Sequence, residues 1–119
     1  MLLDRTTRIN DVHGLTDTER ALISAFLLGA VYCWIKNKKD QPFSLRDLVG
    51  GENTYWGNIP LHAIYKKHTD LGKDPHSAFE DAAKDAGWLL KRVINDDQRS
   101  FNFVKLGLVN SYSWIGNEP

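Results

Sequence analysis

The sequence contains a single cysteine, Cys33, so an intramolecular disulfide and a zinc site built from several cysteines are both excluded. It has no overall excess of charge either, because 15 basic side chains balance 15 acidic ones. A strongly basic nucleic-acid-binding domain would show such an excess. What the chain does show is a local imbalance, since residues 36–73 carry seven basic and four acidic side chains.

Long hydrophobic runs are also missing. The longest apolar stretch, residues 21–35, contains Ser24 and Gly29 and is shorter than the roughly 20 residues that span a bilayer. The first 11 residues lack the apolar segment of a signal peptide. We therefore predict a cytoplasmic protein that does not associate with membranes.

The length of 119 residues favours one domain, and a hydrophobic content of 42% is ordinary for a globular protein. Residues 1–14 are polar and unpatterned, which predicts a flexible N-terminal arm. Residues 15–116 then form a single helical domain.

The first helix is marked by Thr16 and, three residues later, Glu19, which fit a capping box. It should run to about Asn37. Its apolar residues do not form one stripe but lie on all sides, which is typical of a helix buried all round. In a chain this small, that helix is either central to the fold or covered in part by a second subunit. Because few other elements are available to cover it, we expect a homo-oligomer.

A second capping box, Ser44 with Asp47, predicts a short helix that Gly50 ends. The third predicted helix runs from Leu61 to about residue 70, with Asn58 as its cap.

Residues 75–96 have two alternative interpretations. Their apolar side chains recur with a 3.6-residue period that continues through Gly87, which favours one long helix capped by Asp74. The alternative is a break at Gly87.

Two short segments near the C-terminus alternate aromatic and polar residues, and this period of two predicts strands. We predict a β-hairpin over residues 99–116, with its turn at either Gly107 or Asn110. The expected fold is mainly α, with about four helices around a central apolar helix and this C-terminal hairpin.

Helices followed by a hairpin resemble the winged-helix family, a DNA-binding variant of the helix-turn-helix. The segment AAKDAGWLLKRV also resembles a helix-turn-helix core, because Ala83, Gly87 and Val93 have the family's spacing. The resemblance implies a small nucleic-acid-binding regulator. In that register, however, Leu89 and Leu90 would face the groove, where polar and cationic side chains are needed. We therefore favour the single long helix.

The loop GGENTYWGNIP places two large aromatics, Tyr55 and Trp56, among glycines and asparagines. Adjacent residues of an extended segment face opposite ways. We predict that Trp56 is buried over the short second helix and that Tyr55 faces outward, near Lys66 and Lys67, where a base or a partner could stack.

Candidate binding residues are cationic or aromatic side chains expected at the surface: Tyr55, Lys66, Lys67, Lys84, Trp88, Lys91, Arg92, Arg99 and Lys105. The alternative for Trp88 is that another segment covers it. The four histidines lack metal-ligand spacing, no catalytic motif is present, and we expect no cofactor.

Two functions fit these observations. The first is a nucleic-acid-binding regulator with DNA as its partner. The second is a non-enzymatic protein-interaction module that dimerises or inhibits a protein partner. One contiguous basic face would favour the first function, and interleaved charge would favour the second.

Overall fold

The computed structural model describes residues 1–38, 40–50, 55–107 and 109–115. The described residues form four α-helices followed by a two-stranded antiparallel hairpin, which confirms the predicted mainly α fold class. In chain order the elements are α1 (Asp17–Asn37), α2 (Leu45–Val49), α3 (His62–Asp70), α4 (Pro75–Asp96), β1 (Ser100–Leu106) and β2 (Val109–Ile115).

Both predicted capping boxes are confirmed. At α1, the Thr16 hydroxyl accepts a hydrogen bond from the Glu19 backbone N–H at 3.1 Å, and the Glu19 carboxylate accepts one from the Thr16 N–H at 2.9 Å. Ser44 and Asp47 make the same reciprocal pair at α2. Gly50, with φ +86°, ends α2 in a conformation that a side chain would strain.

The start of α3 differs from the prediction. Asn58 does not cap the helix, because it adopts a left-handed conformation with φ +65° in the turn that precedes it. Leu61 occupies the cap position instead and makes no side-chain hydrogen bond to the first turn. Asparagine satisfies the requirements of a turn as well as those of a cap, and the sequence does not separate the two roles.

Helix α4 is continuous over 22 residues and passes through Gly87, so the single long helix is confirmed and the helix-turn-helix register at 83–93 is wrong. Asp74 caps the helix and Pro75 occupies its first position, as predicted. A glycine inside a helix costs only about 1 kcal/mol. The row of buried side chains on both sides of it outweighs that cost: Ala78, Ala82, Ala86, Leu89, Leu90, Val93 and Ile94.

The hairpin turn includes Gly107 and not Asn110, because Leu106 pairs with Val109 and Lys105 with Asn110. Gly107 has φ +64°, as the first central position of a tight hairpin turn requires. Both edges of the hairpin are paired at one position each. Phe43 pairs with Tyr112 through two backbone hydrogen bonds of 2.7 Å, and Leu2 bridges to Phe101.

Helix α4 packs against each of the other three helices. Helix α1 buries one side only, through Ile23, Leu27, Val31 and Ile35, while Leu22 on another side is 57% exposed. By length and composition α1 could also span a membrane, a test that the core helix of a soluble protein passes as well. Self-association through its exposed side stays a prediction.

The segment predicted as a flexible arm contributes to the core at both of its ends. Leu2 and Val12 are buried. The Leu3 N–H donates to the Phe101 carbonyl at 3.1 Å, and the Arg20 guanidinium donates to the Val12 carbonyl. In the structure the arm therefore lies against the hairpin and the helices.

Candidate binding site: an aromatic pocket beside α3

Four of the cations predicted to bind nucleic acid or a partner lie against carboxylates of the same chain. Lys67 is the most constrained, since its ammonium donates to Asp85 at 2.6 Å and to the His13 carbonyl at 2.7 Å. The other three pairs are Lys66 with Asp70 at 2.8 Å, Arg92 with Asp11 at 3.0 Å and Arg99 with Asp97 at 4.0 Å.

Lys91 was expected to face outward, and the structure buries it. It is only 4% exposed, and the ring centroid of Phe103 on β1 lies 4.2 Å from its ammonium. The Trp88 ring lies on the other side at 5.6 Å. Burial lowers the pKa of Lys91. Trp88 itself is half-buried against the core.

The two remaining candidate cations, Lys84 on α4 and Lys105 on β1, are exposed and form no ion pair with the described residues. They are the members of the predicted set whose charges are available to a phosphate. Of the seven candidate cations, four thus lie beside carboxylates, one is buried and two are free of ion pairs in the part of the chain that the structure describes.

A polar cluster joins α3 to α4, and His68 is its centre. One ring nitrogen of His68, Nε2, donates to Asp85 at 2.7 Å, while Nδ1 accepts from the Lys73 ammonium at 2.7 Å. Lys73 also donates to Asp81 at 2.8 Å, which lowers the pKa of that carboxyl. Both nitrogens of the imidazole are thus engaged within the chain.

Metal binding has no support in the described part of the chain. No group of three or more His, Cys, Asp or Glu side chains there could hold an ion. We interpret the His68 cluster as a structural link between the two helices.

An aromatic pocket of about 230 Å³ opens beside α3. Its walls come from the loop before α3, from α3 itself and from the first turns of α4: Tyr55, Trp56, His62, Tyr65, Pro75 and Phe79. None of these six side chains is a carboxylate, a lysine or an arginine.

Trp56 forms the inner wall of this pocket. It is 4% exposed, its indole N–H donates to the Val49 carbonyl at 3.4 Å, and its ring centroid lies 5.1 Å from that of Phe79. Tyr55, the next residue along the chain, is 80% exposed. The prediction that Trp56 points inward over α2 and Tyr55 outward is therefore confirmed.

Gly57 allows the Tyr55 ring to take its position. A Cβ atom at Gly57 would overlap the hydroxyl end of that ring. The glycine thus lets the tyrosine fold back beside the pocket.

Polar groups at the pocket are few. Neither the Tyr55 nor the Tyr65 hydroxyl forms a hydrogen bond to any residue that the structure describes. The His62 ring lies 6.0 Å from the Tyr65 ring. The two hydroxyls are therefore available to a ligand.

Comparison with protein-family models, with curated proteins and with solved structures gives no match for this chain. The function has to be argued from the site itself.

Sequence reasoning found only part of the pocket. Tyr55 and Trp56 could be recognised as candidate site residues because two adjacent aromatics are unusual in a glycine-rich loop. His62, Tyr65 and Phe79 were missed as site residues, because they come from two helices and only the packing of α3 on α4 brings them beside the loop.

Proposed function

We propose that this protein is a non-enzymatic protein-interaction module that receives an uncharged side chain of a partner in the aromatic pocket. The observation that carries this proposal is an open cavity whose walls are four aromatic rings, a histidine and a proline, with no carboxylate, lysine or arginine among them. Concave apolar sites with a few convergent polar groups are the usual places of binding.

The size of the pocket supports a side chain rather than a whole small molecule. Sites for drug-sized ligands and cofactors enclose about 300–1000 Å³. A cavity of about 230 Å³ matches one large side chain. Tyr55 beside it is of the residue type enriched at interface hot spots.

The charge distribution supports the same proposal. Lys66, Lys67, Arg92 and Arg99 are paired within the chain, and Lys91 is buried. A surface that binds the nucleic-acid backbone would leave such cations free to contact phosphates and to release the counterions bound there.

Selection of peptides from a displayed random library on the immobilised protein tests the proposal. We expect enriched peptides whose binding is lost in Tyr65→Ala and kept in Leu71→Ala, a matched control because Leu71 is 70% exposed and does not line the pocket. An absence of enriched peptides, or equal binding by both variants, would refute the proposal.

A second candidate function is that of a nucleic-acid-binding regulator of winged-helix type. Helices α3 and α4 are joined by residues 71–74, including Gly72 at φ +89°, and a short glycine-containing turn is typical of the helix-turn-helix. The hairpin follows α4. Against this, the exposed first turns of α4 carry Glu80, paired with His76 at 2.9 Å, rather than free cations.

Titration with single- and double-stranded oligonucleotides at low salt separates the two candidates. If the second function holds, replacing Lys84 and Lys105 by Ala should reduce the salt dependence by about two phosphate contacts. No affinity at low salt for the intact protein would eliminate it.

A further inference from the structure

We propose that the occupant of the aromatic pocket is a proline in an extended, polyproline II segment of the partner. This inference rests on the proposed function and names the chemistry of the partner. Three properties of the pocket lead to it: the flat walls, the free hydroxyl donors and the absence of net charge.

The walls suit a rigid, saturated ring. Tyr55, Trp56, Tyr65 and Phe79 present aromatic surfaces, and proline-rich segments bind in aromatic-lined grooves of this kind. A polyproline II segment is already extended in solution, so little conformational entropy is lost when it binds.

The hydroxyls suit a ligand that offers acceptors. A polyproline II segment has no internal hydrogen bonds, so its carbonyls are all free, and proline itself has no backbone N–H. The Tyr55 and Tyr65 hydroxyls form no hydrogen bond within the described residues and can donate to such carbonyls.

The walls of the pocket contain no carboxylate, lysine or arginine, and two of the charged side chains beside it lie next to partners. Lys66, next to Tyr65 on α3, pairs with Asp70 at 2.8 Å. His76, next to Pro75 on α4, lies 2.9 Å from the Glu80 carboxylate. The walls therefore offer no carboxylate to an alkylated ammonium and no lysine or arginine to a phosphate, so the complementary occupant is uncharged.

The test is a titration of the full-length, isotopically labelled chain with capped decaproline, followed by NMR. A capped glycine–serine decapeptide and a ten-residue oligothymidine at low salt are the parallel probes. We expect decaproline alone to shift signals, with the Trp56 indole N–H and the Tyr65 amide among those that move most.

Two variants locate the binding. Tyr65→Phe keeps the ring and removes one hydroxyl, so it should weaken decaproline binding about 3- to 10-fold, as expected for one lost hydrogen bond. Gly57→Ala should weaken it too, because the added methyl displaces the Tyr55 ring. Leu71→Ala should leave it unchanged, and the spectrum of each variant reports directly whether it is folded.

The outcomes separate this inference from the function on which it rests. The inference is supported if decaproline shifts signals at the pocket and if Tyr65→Phe and Gly57→Ala both weaken its binding. Pocket binding by library-selected peptides without proline, together with no decaproline binding, would overturn the proline assignment and leave the interaction module standing. Binding of oligothymidine at the pocket, or of no peptide at all, would overturn both.

Discussion

Among the described residues, an aromatic cluster that is closed around the hairpin can be compared with one of similar composition that is open beside α3. The closed cluster surrounds the hairpin and consists of Phe43, Phe101, Phe103 and Tyr112, with ring centroids 5.5–6.3 Å apart. The open cluster is the pocket of Tyr55, Trp56, Tyr65 and Phe79. Residue type therefore does not decide which aromatic group becomes core and which becomes a candidate site.

The two clusters differ in how the backbone that carries their aromatic rings is held in place. In the closed cluster, Phe43 and Phe101 are both paired through main-chain hydrogen bonds, and Phe101, between Leu2 and Trp114, is covered from both sides. In the open cluster, Tyr55 and Trp56 lie outside any strand, and one ring is exposed while the next is buried. Main-chain pairing fixes the rings of the first cluster, whereas neither Tyr55 nor Trp56 of the second belongs to a strand.

The largest effect should come from opening the closed cluster. Phe101→Ala removes a fully buried ring between Leu2 and Phe43, and we expect it to lower the free energy of unfolding by about 3–5 kcal/mol. Urea denaturation followed by circular dichroism measures this. A loss below about 1 kcal/mol would show that the cluster can collapse around the cavity.

Local signals made most of the fold predictable. The capping boxes at Thr16 and Ser44 and the apolar period of α4 depend on residues three or four apart, so the sequence displays them directly. The pairing of Phe43 with Tyr112 joins residues 69 positions apart, and no local pattern indicates it. The pairing that brings Phe43 into the hairpin cluster could therefore not be predicted from the sequence.

The candidate site was less predictable than the fold. A helical wheel places Lys91 on the polar face of α4, but the residue is buried and its ammonium lies over the Phe103 ring of the hairpin. The ion pair of Arg92 with Asp11 joins distant segments, so part of the positive charge expected at the surface is paired with a carboxylate that no local pattern indicates.

The second prediction concerns the inner wall of the open cluster. Trp56→Ala should lower the free energy of unfolding by about 2–4 kcal/mol, less than expected for Phe101, because the indole already borders a cavity and has fewer packing partners to lose. Thermal and urea unfolding of the two variants in parallel give the comparison. A larger loss for Trp56 than for Phe101 would reverse the distinction between the clusters.

The third prediction concerns Lys91, whose buried ammonium lies at the edge of the closed cluster. Lys91→Met keeps an unbranched stem and offers sulfur to the Trp88 and Phe103 rings, so it should raise the free energy of unfolding by about 1 kcal/mol at neutral pH. The lost cation–π attraction limits the gain. Lys105→Met on the exposed side of β1 is the control and should change little.

The pH dependence of that difference follows from the lowered pKa of Lys91. At neutral pH the amine is charged in both the folded and the unfolded chain, and the folded chain bears the cost of burying the charge. As pH rises from the lowered pKa towards the ordinary value of 10.5, the folded chain releases a proton that the unfolded chain retains. Wild-type stability then rises relative to Lys91→Met and the difference narrows, whereas a difference constant up to pH 10 would contradict the assignment.

The smallest expected effect on stability is the one that most sharply separates the two clusters. Tyr55 is 80% exposed and makes no hydrogen bond to the described residues, so Tyr55→Ala should change the free energy of unfolding by no more than about 0.5 kcal/mol. The same substitution should nevertheless weaken any peptide selected for the pocket. Leu71 is also an exposed apolar side chain, and Leu71→Ala should change neither the free energy of unfolding nor peptide binding. If Tyr55→Ala destabilises the chain as Trp56→Ala does, the ring belongs to the core, and the open cluster is a second closed one.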